Sequence, residues 1–147
     1  MTAPLEITNI QELLYEQDYY QWLTQTTKLL KEKKFTQLDL ENLIEEIESL
    51  GKSEKRAIKS NLIVVILHLL KWQYQPQKRS NSWKSSIREH RRRIQELLTD
   101  SPSLNNYLET EYPDIYQDAI ATMSFDFDIP EDNFVEVEQI MESNYFG

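Results

Sequence analysis

The chain contains no cysteine, only two glycines and five prolines among 147 residues. Without thiols there can be no disulfide, no thiolate nucleophile and no zinc site built on sulfur, and the composition fits a reducing, cytoplasmic setting. So few glycines leave little material for hairpins and bulges, and nearly exclude a backbone cradle for phosphate. Long apolar runs are also missing. The longest, Leu62 to Leu67 continued by Leu69 and Leu70, falls far short of the ~20 residues of a membrane span. The opening MTAPLEITNI has no basic start followed by an apolar stretch, so no signal peptide is read. A soluble chain with no membrane partner is expected. No serine–histidine–acid order, nucleotide-binding motif or Cys/His metal spacing occurs, so no catalytic residue, metal or cofactor is assigned and the enzyme class is disfavoured.

Charge of one sign is missing from a whole segment. Residues 71–93 carry eight cations against one acid, whereas residues 94–147 carry thirteen acids and no lysine or arginine, within a net charge of −9. Charge blocks of this kind in a small domain are expected to face one another, with the acidic part folded back over the basic helix.

What is present is helical periodicity. Asp18, with Gln21 three residues on, has the spacing of a capping box and opens a helix that ends at the cations of KEKK. A shorter helix around Ile10–Tyr15 is expected upstream, capped by Thr8 or Asn9. Leu40, Leu43, Ile44, Ile47 and Leu50 make one helical stripe, which Gly51 ends. Ser53 can cap a new helix from Glu54 towards Tyr74, or the two segments form one helix kinked near Gly51. Residues 62–70 are apolar on every side except at His68, which marks the central helix of a bundle. Pro76 lies in a loop, and Asn81 or Ser82 caps the next helix. Ser101–Pro102 starts another, kinked at Pro113. FDFDIPEDNF reads as a loop and residues 135–143 as a last short helix. The reading is an all-α, single-domain bundle of five to six helices around a central apolar helix at about 54–74, with an acidic C-terminal extension from about residue 124.

The stretches LDLENLIEEIESLG (38–51), HLLKWQYQP (68–76), SWKSSIREHRRRI (82–94) and SPSL (101–104), preceded by YEQDYYQWL (15–23), resemble one bacterial family. It is the all-helical family called domain of unknown function 29. The resemblance implies a helical fold, and no activity, cofactor or site residue comes with it.

Three constellations could carry function. Trp72, Tyr74 and Trp83 lie among Arg79, Arg88, Arg91 and Arg92, the aromatic and arginine mixture of a protein-binding hot spot. The basic segment 71–93, with Lys84 and these arginines beside the aromatics, has the ingredients of a nucleic-acid surface, which the pI of about 4.7 opposes. The arginines can also serve inside the fold, as bidentate partners of acidic residues. Glu45, Glu48, His68 and Lys71 form a candidate polar cluster, in which a metal-assisted hydrolase would find carboxylates and a base. In the structural reading the glutamates are a solvated face, His68 is a hydrogen-bonded core histidine, and Glu45 or Glu48 meets Arg88 or Arg91 at the core's edge. The leading expectation is a small, non-enzymatic protein-interaction or regulatory module. An unidentified protein is its partner, and a second copy of the chain is another candidate.

Overall fold

A computed structural model describes residues 3–147 and, of their side chains, those from Ile10 onward. The fold is all-α, with no strand among the described residues. The helices are α1 (Ala3–Gln17), α2 (Tyr19–Lys31), α3 (Leu40–Tyr74), α4 (Asn81–Asp100), α5 (Leu104–Met123) and the single turn α6 (Val137–Ile140), with 3-10 turns at Phe35–Gln37 and Pro76–Lys78. No helix among the described residues is long and apolar enough to cross a membrane. The chain divides into two compact units, Met1–Lys52 and Ser53–Gly147, and α3 runs unbroken through the division.

In the first unit the caps decide the helix ends. Asp18 Oδ1 accepts from Gln21 N at 3.1 Å and opens α2 as expected. At the other end Lys33 adopts φ +58°, its N–H donating to Leu30 O and that of Lys34 to Leu29 O. These are the two bonds of a Schellman turn, made here without the usual glycine. Helix α1 begins at Ala3, so the positions of Thr8 and Asn9 lie inside it rather than at its start; their side chains are outside the described residues. The small core holds Trp22, Leu29 and Leu38.

Gly51 does not end α3. Helical backbone continues through it, and a Cβ there would meet nothing within 4 Å. An exposed interior glycine costs a helix only ~1 kcal/mol, less than the long apolar run after it returns by burial. Ser53 is accordingly an interior residue rather than a cap.

The second unit is built on that run. Ile58, Leu62, Val65, Ile66, Leu69 and Leu70 of α3 pack with Ile87 and Ile94 of α4, six residues of α5 and Ile140 of α6. Each fully buried aliphatic or aromatic side chain contributes on the order of 1.5–3 kcal/mol, which fixes this bundle without strands or disulfides. Ser80, one residue before the expected cap, caps α4 by accepting from Trp83 N at 3.3 Å. Helix α5 starts at Leu104, after a turn that includes Ser101 and Pro102, and Pro113 sits inside it on an exposed face. The FDFDIPEDNF stretch is non-helical.

Candidate functional site

The aromatic and arginine corner of the second unit is assembled at the end of α3 and the start of α4. Arg79 Nε donates to Trp72 O at 2.8 Å, and its guanidinium lies 5.0 Å from the centre of the Trp72 ring. Lys84 Nζ stands 5.7 Å from the same ring, and Lys71 Nζ 6.0 Å from that of Trp83. The C-terminal segment returns to this corner. Phe146 packs 5.9 Å from Trp72 and takes Lys84, Arg88 and Arg91 at 5.2, 5.8 and 5.6 Å from its ring centre. The π faces of these rings are thus occupied by the chain's own cations.

The arginines of α4 have separate fates. Arg91 is buried, its Nε donating to Ile140 O at 2.7 Å and its Nη2 to Tyr145 O at 2.6 Å. Burial lowers its pKa to about 10, so it remains charged at neutral pH. Arg92 pairs with Glu89 at 2.6 Å and with Glu96, and Arg93 with Glu89, all along one exposed helix face. The acidic tail therefore does fold back on α4, but it does so through carbonyl oxygens and a phenyl ring. Among the described residues no tail carboxylate forms an ion pair with a cation of α4. Tyr74 turns away from the corner: its ring stacks on Phe127, and its hydroxyl accepts from Asn133 Nδ2 at 2.7 Å. The hydroxyl of Tyr116 donates to Asn133 Oδ1, and burial pushes that phenol up to about 12.

The residues of the polar cluster are divided between the two units. Glu45 and Glu48 are exposed residues of the first unit, while His68 and Lys71 are half-buried residues of the second. His68 Nδ1 lies 2.8 Å from Val64 O. A carbonyl only accepts, so Nδ1 carries the proton. Burial, then the charge of Lys71 and the nearby His90, holds its pKa below the ordinary histidine value, against the opposing effect of the Val64 bond. No three His, Cys, Asp or Glu residues are grouped for metal binding among the described residues. Arg91, expected beside Glu45 or Glu48, has backbone carbonyls as its partners.

The first unit contains a site that periodicity did not reveal. Asp39, 2% exposed, accepts from Trp22 Nε1 at 3.2 Å and from Asn42 Nδ2 at 2.7 Å, and caps α3 through Asn42 N at 3.4 Å. Two turns on from Asp39, Glu46 accepts from the hydroxyls of Tyr15, at 2.6 Å, and Tyr19. Those two bonds hold the Glu46 carboxyl below the usual carboxylate range and raise Tyr15 to about 12. Helix α3 thus turns its 39–42–46 face to α1 and α2. The apolar stripe beside that face is left in solvent, with Leu40, Ile44, Ile47 and Leu50 exposed by 59, 48, 60 and 68%. Leu13, Tyr20, Leu23, Leu30 and Phe35 are exposed as well. An open depression of 590 Å³ lined by Tyr20, Leu23, Thr27, Lys28, Lys31 and Glu32 carries two cations and one acid at its edge. A second, of 510 Å³, is lined by Glu12, Leu13, Glu16 and Glu41 and carries acids.

Among protein families, the model described as "Domain of unknown function DUF29" matches residues 14–146. No curated protein and no solved structure matches the chain.

Proposed function

The chain belongs to the DUF29 family, whose description assigns no activity, and we propose from its geometry that it is a non-enzymatic protein-interaction module that pairs with a second copy of itself through the first unit. One observation carries this reading. Of the thirteen large hydrophobic side chains that are exposed among the described residues, eleven belong to residues 10–50. Soluble monomers rarely expose apolar residues at this density, and contiguous patches of them mark protein interfaces.

Charge complementarity favours a second copy as the occupant. The apolar positions of α2 are bordered by Lys28 and Lys31, with the single acid Glu32 at the helix end, and those of α3 by Glu41, Glu45 and Glu48. Two copies related by a twofold axis can lay the basic-edged face of one on the acidic-edged face of the other, reciprocally. A stable pairing needs roughly 800 Å² from each partner, and so the full set of exposed stripes rather than one of them. The nucleic-acid alternative loses support from the corner at Trp72 and Trp83, where the chain's own cations cover the faces on which bases would stack.

Sedimentation equilibrium across a wide concentration range tests the proposal. A reversible dimer is expected, weakened by salt and abolished by Ile47→Glu or Leu50→Glu. Both positions are exposed, so circular dichroism should show undiminished helix. A chain that stays monomeric to millimolar concentration, or variants that dimerise like the parent, would overturn it.

A further inference from the structure

Arg91 is an unusual buried cation. It is 4% exposed, two of its nitrogens bond to carbonyl oxygens, and its third, Nη1, is buried with no hydrogen-bond partner. No carboxylate lies within ion-pair distance of it or of Arg88 among the described residues. Tyr145 and then Glu142 act on the Arg91 charge, Glu142 from beyond ion-pair distance. Both guanidiniums, with Lys84, share the single ring of Phe146. A ring quadrupole contributes ~0.5–2 kcal/mol to such a contact, too little to balance three converging cations.

Arg88, Arg91, Arg92, Gln95, Met141 and Ser143 line a half-open recess of 410 Å³ between α4 and the segment after α6, a size within the range of small-molecule sites, about 300–1,000 Å³. Arg92 is engaged by Glu89 and Glu96, whereas Arg88, the Gln95 amide and the Ser143 hydroxyl have no side-chain hydrogen-bond partner among the described residues. Planar guanidinium forks match the oxygens of carboxylate or phosphate in pairs. The free Arg88 fork, the amide and the hydroxyl, beside the buried charge of Arg91, offer more donors than a carboxylate's two oxygens can use. They suit the three terminal oxygens of a phosphate monoester. Met141 gives the organic part an apolar wall. The net charge of −9 disfavours the same phosphate presented along a nucleic acid.

We infer that the recess between α4 and the C-terminal segment binds the phosphate group of a small phosphate monoester, with Arg88 as its principal donor and the buried charge of Arg91 beside it. The site lies wholly in the second unit, so its failure and that of the self-pairing reading are separately visible.

The probe is inorganic phosphate, titrated into the full chain at constant ionic strength while Arg side-chain and amide resonances are followed. Expected are saturable shifts at Arg88, Arg91, Gln95 and Ser143, absent with acetate or chloride. Arg88→Gln, an exposed position, should weaken phosphate binding about tenfold or more, and Arg79→Gln, outside the recess, should leave it unchanged. Arg91→Lys is a second variant, its fold checked by circular dichroism. Equal responses to acetate and chloride, equal weakening by Arg79→Gln and Arg88→Gln, or tighter binding of an oligonucleotide that phosphate does not displace, would overturn the inference.

Discussion

Replacing Asp39 by alanine should unlock the first unit. Asp39 caps α3, and losing such a cap costs ~1 kcal/mol. It is also the acceptor for the indole N–H of Trp22, whose side chain is wholly buried. A buried donor left without a partner costs a further ~1–3 kcal/mol. The sum, about 2–4 kcal/mol, is large for a unit whose core is Trp22, Leu29 and Leu38. Asp39→Asn keeps an acceptor oxygen and should cost about 1 kcal/mol or less. In a Trp22→Phe background no indole remains to be stranded, so Asp39→Ala should there cost only the cap. Whole-protein fluorescence would mix in Trp72 and Trp83 of the second unit. Hydrogen exchange of the α2 amides and of the Trp22 indole reads the first unit alone. At about 1.4 kcal/mol per tenfold, Asp39→Ala should speed exchange roughly thirty- to thousandfold. The reasoning fails if asparagine is as damaging as alanine, or if the Trp22 and Asp39 effects simply add.

The bundle was legible because burial leaves a periodic trace. The run from Leu62 to Leu70 is apolar on nearly all sides and became the centre of the second unit, as such a helix must be surrounded. Local end signals were weaker guides. Gly51 sits where a stop signal would, yet the apolar run beyond it carries α3 through. Lys33, with no sequence mark of a left-handed residue, closes α2.

The site was less legible because a stripe tells which face is apolar and not what covers it. Leu40, Ile44, Ile47 and Leu50 have the pattern of a core face, but the 39–42–46 face, chosen by hydrogen bonds to Tyr15, Tyr19 and Trp22, is the one turned inward. Polar partners at separations of 17 to 31 residues leave no periodic signal. Arg91 shows the converse limit. Its charge suggested a carboxylate partner, while its actual acceptors are the main-chain oxygens of Ile140 and Tyr145, which any residue type could supply.

Two further outcomes are expected. Lys33→Gly should stabilise the first unit by up to about 1 kcal/mol, because glycine adopts the left-handed backbone without the Cβ clash; faster exchange in the last turn of α2 would contradict the Schellman geometry. His68 should make the second unit acid-sensitive. Its pKa is lower folded than unfolded, chiefly by burial, so the unfolded chain binds more protons as pH falls. Its contribution is therefore complete above the unfolded value of ~6.5, declines as pH drops through it, and levels off below the folded value. Comparing urea midpoints of the parent and of His68→Gln between pH ~7.5 and ~5 isolates this effect, since the chain's other titrating groups, His90 among them, are common to both. The parent midpoint should fall across that range and that of His68→Gln should fall less. Parallel curves would mean that His68 is equally ready to take a proton in both states, and that its bond to Val64 offsets the burial that α3 imposes on it.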